Sequence, residues 1–178
     1  MMRTCTTLAL ILTATFAFAE NGKDIYDVVS HHTADSNGVN IHYVSAGEGP
    51  VVLFVHGFPD FWYSWRNQMA ALKDDYRVVA MDTRGYNKSD KPEGVDSYKI
   101  ELLLSDVEAV IKDLGVENVT LVGHDWGGAI AWQFAIQNPD RVNKLVICNL
   151  THPRGYQTVR ENATPEQKAN TEYIRRFQ

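Results

Sequence analysis

Residues 116–132, VENVTLVGHDWGGAIAW, constrain this chain more than any other stretch. Val119, Leu121 and Val122 have the composition of a strand, which stops at Gly123-His124-Asp125-Trp126-Gly127-Gly128, and a helix-forming run follows. Glycines two before and two after a central residue let a strand and the next helix approach closely. The central residue is then forced into a strained backbone conformation and its side chain stands above the sheet, an arrangement known as a nucleophile elbow.

The central residue is Asp125. A serine attacking an alkyl carbon would leave an ether, whereas a carboxylate leaves an ester, which an activated water can hydrolyse at its carbonyl. Asp125 therefore points to alkyl transfer from a strained or activated carbon, an epoxide or a haloalkane. The amides in the first turn of the following helix favour an anion there, and Trp126 N–H is one candidate oxyanion donor. The plainer alternative is an aspartate that merely caps the helix.

Strand and helix patterns alternate along the rest of the chain. Residues 28–34 and 39–44 predict a hairpin about the turn Asp35-Ser36-Asn37-Gly38. His31 and His32 are adjacent, so they face opposite sides of a strand and cannot chelate one metal; they and His42 read as ordinary strand residues. The apolar run 51–55 predicts a strand buried on both faces and ends in His56-Gly57-Phe58-Pro59-Asp60, before a helical run over 61–72. That geometry puts Phe58 N–H where a second oxyanion donor belongs, and His56 reads as structural. A strand over 76–81, a loop over 82–92, a helix over 97–114 closed by Gly115, the elbow helix to about 137 and a strand over 142–148 follow. This alternation demands a mostly parallel sheet covered by helices on both faces. Beyond it the composition turns polar, and Thr164-Pro165-Glu166-Gln167 predicts a new helix opened by a capping box.

Residues 1–19 stand apart. Arg3, the apolar run 8–16 and Ala17-Phe18-Ala19 match a secretory signal peptide cleaved after Ala19, so a secreted or periplasmic protein with no membrane attachment after cleavage is expected. Cleavage would remove Cys5 and leave Cys148 alone, which excludes an internal disulfide; Cys148 lies beside Val146 and Ile147, as an inert core cysteine would. The whole chain, 44% hydrophobic with a formal net charge of −5, has the composition of one globular domain. No Lys/Arg run or zinc spacing occurs, so no nucleic acid, metal or cofactor is called for.

Taken together, His56-Gly57-Phe58-Pro59-Asp60, Phe61-Trp62-Tyr63-Ser64-Trp65-Arg66-Asn67-Gln68, Asp82-Thr83-Arg84-Gly85-Tyr86, Gly123-His124-Asp125-Trp126-Gly127-Gly128 and Asn138-Pro139-Asp140-Arg141-Val142 resemble the α/β-hydrolase family, specifically its epoxide hydrolases. The resemblance runs from about Val28 onward. It implies Asp125 as nucleophile, the Phe58 and Trp126 amides as oxyanion hole, and a lid tyrosine, matched by Tyr173, that hydrogen-bonds the oxygen of a small hydrophobic epoxide. It also implies a division into core, 20–152, and the start of a helical lid, 153–178. The family's orienting acid, water-activating histidine and second lid tyrosine follow the lid and have no counterpart here, so the fold is expected to be incomplete, the N-terminal part of a longer chain. Nothing in the sequence specifies an oligomeric state.

Two other readings stand beside this one. A haloalkane dehalogenase shares the Asp nucleophile and the following Trp, but typically holds the halide with a second side-chain N–H at the position of Phe58, which has none. The third reading is a hydrolase scaffold that only binds small hydrophobic ligands.

Overall fold

The computed structural model describes residues 24–170 and residue 172. Six strands form one sheet in the order β1-β2-β4-β3-β5-β6. They are β1 (Ser30–Ser36), β2 (Val39–Ala46), β3 (Val51–Val55), β4 (Arg77–Met81), β5 (Val119–His124) and β6 (Val142–Cys148). β2 is antiparallel to both neighbours, while β4, β3, β5 and β6 run parallel. The helices are α1 (Ile25–Val28), α2 (Arg66–Leu72), α3 (Ile100–Asp113), α4 (Trp126–Gln137), α5 (Pro153–Glu161) and α6 (Pro165–Asn170).

The predicted two-sided burial of the central strand is met in full. All five residues of β3 are buried, because Leu53 and Val55 face one apolar layer while Val52 and Phe54 face the other. On the first face Leu104, Val107, Val110 and Ile111 of α3 and Ile130, Ala131 and Phe134 of α4 cover the sheet. On the second, Trp62, Trp65 and Met69 from the α2 region pack with Val78, Ala80 and Val122. At about 1.5–3 kcal/mol for each large apolar side chain withdrawn from water, these layers dominate the stability of the sheet.

Several predicted boundaries shift for local reasons. The first strand begins at Ser30 and not at 28, because Asp24 caps a helical turn over α1, accepting from Tyr26 N–H at 2.9 Å. The hairpin turns on Asn37 (φ 55°) and Gly38 (φ 85°) alone, so Asp35 and Ser36 belong to β1. Lys99, extended at φ −59° and ψ 147°, separates a 3-10 turn, Val95–Tyr98, from α3, where one helix over 97–114 was expected. The run 61–72 likewise divides into a 3-10 turn, Trp62–Trp65, and α2.

Helix α5 was not foreseen, since residues 153–161 are mostly polar and hold only Tyr156 and Val159 as large apolar residues. Its start is nevertheless well formed: Pro153 opens it, and the His152 ring caps it by accepting from Arg154 N–H at 3.1 Å. The predicted capping box of α6 is reciprocal, with Gln167 N–H donating to Thr164 Oγ1 at 3.2 Å and Thr164 N–H to Gln167 Oε1 at 2.8 Å.

Candidate active site

Parallel pairing sets Val55 opposite Gly123, so the carboxyl ends of β3 and β5 lie side by side. The loops leaving them, His56 to Phe58 and His124 to Asp125, therefore meet above one point of the sheet. Asp125 holds φ 51° and ψ −122°, a conformation that L-residues rarely adopt. A side chain on Gly123 would run into the Gly127 carbonyl, and one on Gly127 into the carbonyls of Val55 and His56. This close packing is what obliges the chain to turn at Asp125 and holds the strained residue in place.

Asp125 occupies the N-cap position of α4, yet its side chain makes no capping hydrogen bond. Its Oδ1 instead accepts from Phe58 N–H at 2.9 Å. Trp126 opens α4, so its N–H is among the amides that a helix leaves without an internal partner. Phe58 and Trp126 are 54% and 62% exposed.

His56 lies beneath this point and is buried. Its Nε2 receives Thr83 N–H at 3.0 Å, and since an amide can only donate, that nitrogen must be the acceptor. The proton therefore sits on Nδ1, which donates to Gly57 O at 2.9 Å. Burial holds the His56 pKa below the usual histidine value, partly offset by the Gly57 carbonyl and the charges of Asp82 and Asp60. Gly57 C=O and Phe58 N–H belong to one peptide plane and point in opposite directions. Fixing the carbonyl from below thus aims the amide at Asp125, in keeping with the structural role read for His56.

A second set of buried polar groups was missed by the sequence reading. Asp82, fully buried, accepts from Trp62 N–H at Oδ1 (2.9 Å), and at Oδ2 from Asn87 Nδ2 (2.8 Å) and the His42 Nδ1–H (2.6 Å). His42 Nε2 lies 2.8 Å from His31 Nδ1. Burial raises the Asp82 pKa, but the bonds from His42, Trp62 and Asn87 outweigh it and leave the carboxyl below its usual value. His31 and His42 lie on β1 and β2 as read, and the pairing of those strands brings their rings together, a contact that a linear pattern does not display. Asp82 stood in the sequence as the first residue of Asp82-Thr83-Arg84-Gly85-Tyr86, with no sign of its partners.

The neighbouring Arg84 forms a forked pair with Asp106 of α3, at 2.6 and 2.7 Å, and locks the loop after β4 to that helix. Tyr86, edge-on to His56 at 5.2 Å between ring centres, has its phenol pKa raised by burial and then by the charge of Asp125. Among the described residues no group of three His, Cys, Asp or Glu side chains is placed to hold a metal ion, and no helix is long and apolar enough to cross a membrane. Cys148 is free and half-buried. Tyr173 and residues 1–19 lie outside the described residues.

The chain belongs to the alpha/beta hydrolase fold family, whose model matches residues 50–170. Among curated relatives it is 44% identical over 155 residues to the AB hydrolase superfamily protein YfhM of Bacillus subtilis, covering 85% of this chain and 54% of that protein. It is 50% identical over 121 residues to Epoxide hydrolase 1 of Caenorhabditis elegans, covering 67% and 30% of the two chains. Among solved structures, the Bacillus megaterium epoxide hydrolase in complex with an inhibitor superposes with a TM-score of 0.77 at 44% identity, covering 82% of this chain and 51% of the other. The chain thus spans between about a third and about half of the relatives it matches.

Proposed function

We propose that this chain carries the nucleophile of an epoxide hydrolase, which opens an epoxide to a vicinal diol through an ester on Asp125. The single observation that carries the reading is a carboxylate, and not a hydroxyl, at a strained elbow with its Oδ1 already accepting a main-chain N–H from Phe58. Curated relatives and solved neighbours named as epoxide hydrolases support epoxide opening as the reaction.

In the first step Asp125 Oδ2 attacks a ring carbon, the C–O bond of the epoxide breaks and its oxygen leaves as an alkoxide. Such a leaving group needs a hydrogen bond or a proton, a role we assign to the Tyr173 phenol. In the second step water adds to the ester carbonyl carbon of Asp125, the carbonyl oxygen gathers charge between the amides of Phe58 and Trp126, and the diol departs as the carboxylate reforms. His56 is not the base for this water, since Thr83 N–H already occupies its free lone pair. One solved neighbour, an epoxide hydrolase from Bacillus megaterium, is complexed with its product, a naphthyloxy-propane-diol. The exposed rings of Phe58 and Trp126 suit aryl glycidyl ethers of that kind.

The dehalogenase alternative is disfavoured by Phe58, which offers no side-chain N–H to a departing halide. Exposing the protein to matched phenyl glycidyl ether and bromoalkane substrates tests the choice. Covalent capture of the ether without bromide release is expected; bromide release with no reaction of the ether would reassign the chain to dehalogenation. We also propose that residues 1–19 direct export and are removed after Ala19, so N-terminal sequencing of the mature protein should begin at Glu20.

A further inference from the structure

We propose that Asp82 and His42 are positioning residues for the oxyanion amide of Phe58, a proposal that rests on the epoxide hydrolase reading. The segment from His56 to Trp62 bears that amide, and both of its ends are tied to two consecutive residues of the loop after β4. At the near end Thr83 N–H and Oγ1 lie 3.0 and 3.2 Å from His56 Nε2, and the His56 Nδ1–H holds the Gly57 carbonyl. At the far end Asp82 Oδ1 accepts the Trp62 N–H at 2.9 Å. Between these anchors Asp60 N–H also donates to Gly57 O at 2.9 Å, so the peptide plane that aims Phe58 N–H is held from two sides.

Asp82 accepts at both oxygens from three donors, the arrangement of a carboxylate, and a carboxylate with no exposure is costly without donors around it. His42 supplies the closest of these at 2.6 Å and is itself buried, so the pair is sealed from solvent. With Asp82 ionised, His42 Nδ1 must bear a proton. His31, packed edge-on against the Trp62 ring, meets the remaining nitrogen, Nε2, at 2.8 Å. Ser89 completes the enclosure, its Oγ accepting His42 N–H at 2.9 Å and donating to the Asp82 carbonyl at 2.7 Å. None of these groups reaches Asp125, so they act on the site only by fixing where the Phe58 amide lies.

The test combines substitution with two readouts on the full chain. His42→Ala removes the donor to Asp82; His42→Asn restores it, because an asparagine amide nitrogen overlays Nδ1; Asn87→Gly removes a different donor to the same carboxylate at a position whose φ of 40° suits glycine. The first readout is the rate of ester formation on Asp125 with phenyl glycidyl ether, followed by intact mass. His42→Ala should slow it about ten- to a hundredfold at saturating ether with little change in the half-saturating concentration, as expected for a misplaced catalytic group. Asn87→Gly should move it the same way by less, and His42→Asn should recover most of it. The second readout is the NMR shift and hydrogen exchange of the Phe58 amide in the absence of substrate, where His42→Ala should move the proton upfield and speed its exchange. Folded His42→Ala and Asn87→Gly proteins with an unaltered Phe58 amide and a wild-type rate would overturn the proposal. Absence of ester in the wild type, with the amide still responding, would strike at the epoxide chemistry and leave the positioning role standing.

Discussion

The main-chain amide of Phe58 donates to Oδ1 of Asp125 at 2.9 Å, across the gap between the ends of β3 and β5. That bond exists because nothing intervenes: a Cβ on Gly57 would meet the Asp125 side chain and the His124 carbonyl. Gly57→Ala is therefore expected to separate the two loops, destabilise the protein by about 1–3 kcal/mol and abolish covalent capture of an epoxide. Urea denaturation and intact mass measure both effects; a stable variant that still captures substrate would show that the close approach is dispensable.

Acid should weaken the fold through His56. Its native pKa lies below the ordinary value of about 6.5, chiefly through burial, so between those two values the unfolded chain binds more protons than the folded one. Stability therefore rises with pH through that window and is fully present above it. Asp82, held below its usual carboxyl value, adds a second loss below about pH 4. His56→Asn, which keeps a donor for the Gly57 carbonyl but cannot titrate, should flatten the rise that lies below about pH 6.5 in denaturation curves. An unchanged slope would place the acid sensitivity elsewhere, with His31 and His32, whose values are also lowered by burial, as the next candidates.

The difference between what the sequence foretold and what it did not follows the range of the interactions. The elbow was legible because strand composition, glycine spacing and helix start fall within a few consecutive residues, and the Phe58 position followed from where a strand ending in His-Gly must sit. Capping at Thr164 and Gln167 was legible for the same reason. His42, Asp82 and His31 were not, since 40 residues separate the first two and only the sheet register brings them together. Helix α5 escaped because two large apolar residues, Tyr156 and Val159, are too few to establish a helical period in a polar stretch.

Arg84 and Asp106 are each almost fully buried and paired through two hydrogen bonds. Breaking one partner leaves the other charge stranded, so Asp106→Asn should cost about 3–5 kcal/mol, seen as a lower denaturant midpoint. A shift under 1 kcal/mol would mean that the loop after β4 is held chiefly by Asp82 and Thr83.

Tyr173, if it hydrogen-bonds the opening epoxide, should respond to removal of its hydroxyl. Tyr173→Phe is expected to slow ester formation by about ten- to a thousandfold, the range for losing one donor to a developing oxyanion, while stability stays nearly constant. An unaltered rate would assign the ring to packing.

The central claim is that Asp125 forms a bond to carbon. After incubation with phenyl glycidyl ether, the intact protein should gain the mass of one whole ether molecule, fragmentation should place the addition on Asp125, and Asp125→Ala should show none. With the protein in excess in heavy-oxygen water, a first turnover that gives diol labelled in its new hydroxyl with no label or addition at Asp125, or an addition that persists in Asp125→Ala, would contradict the account.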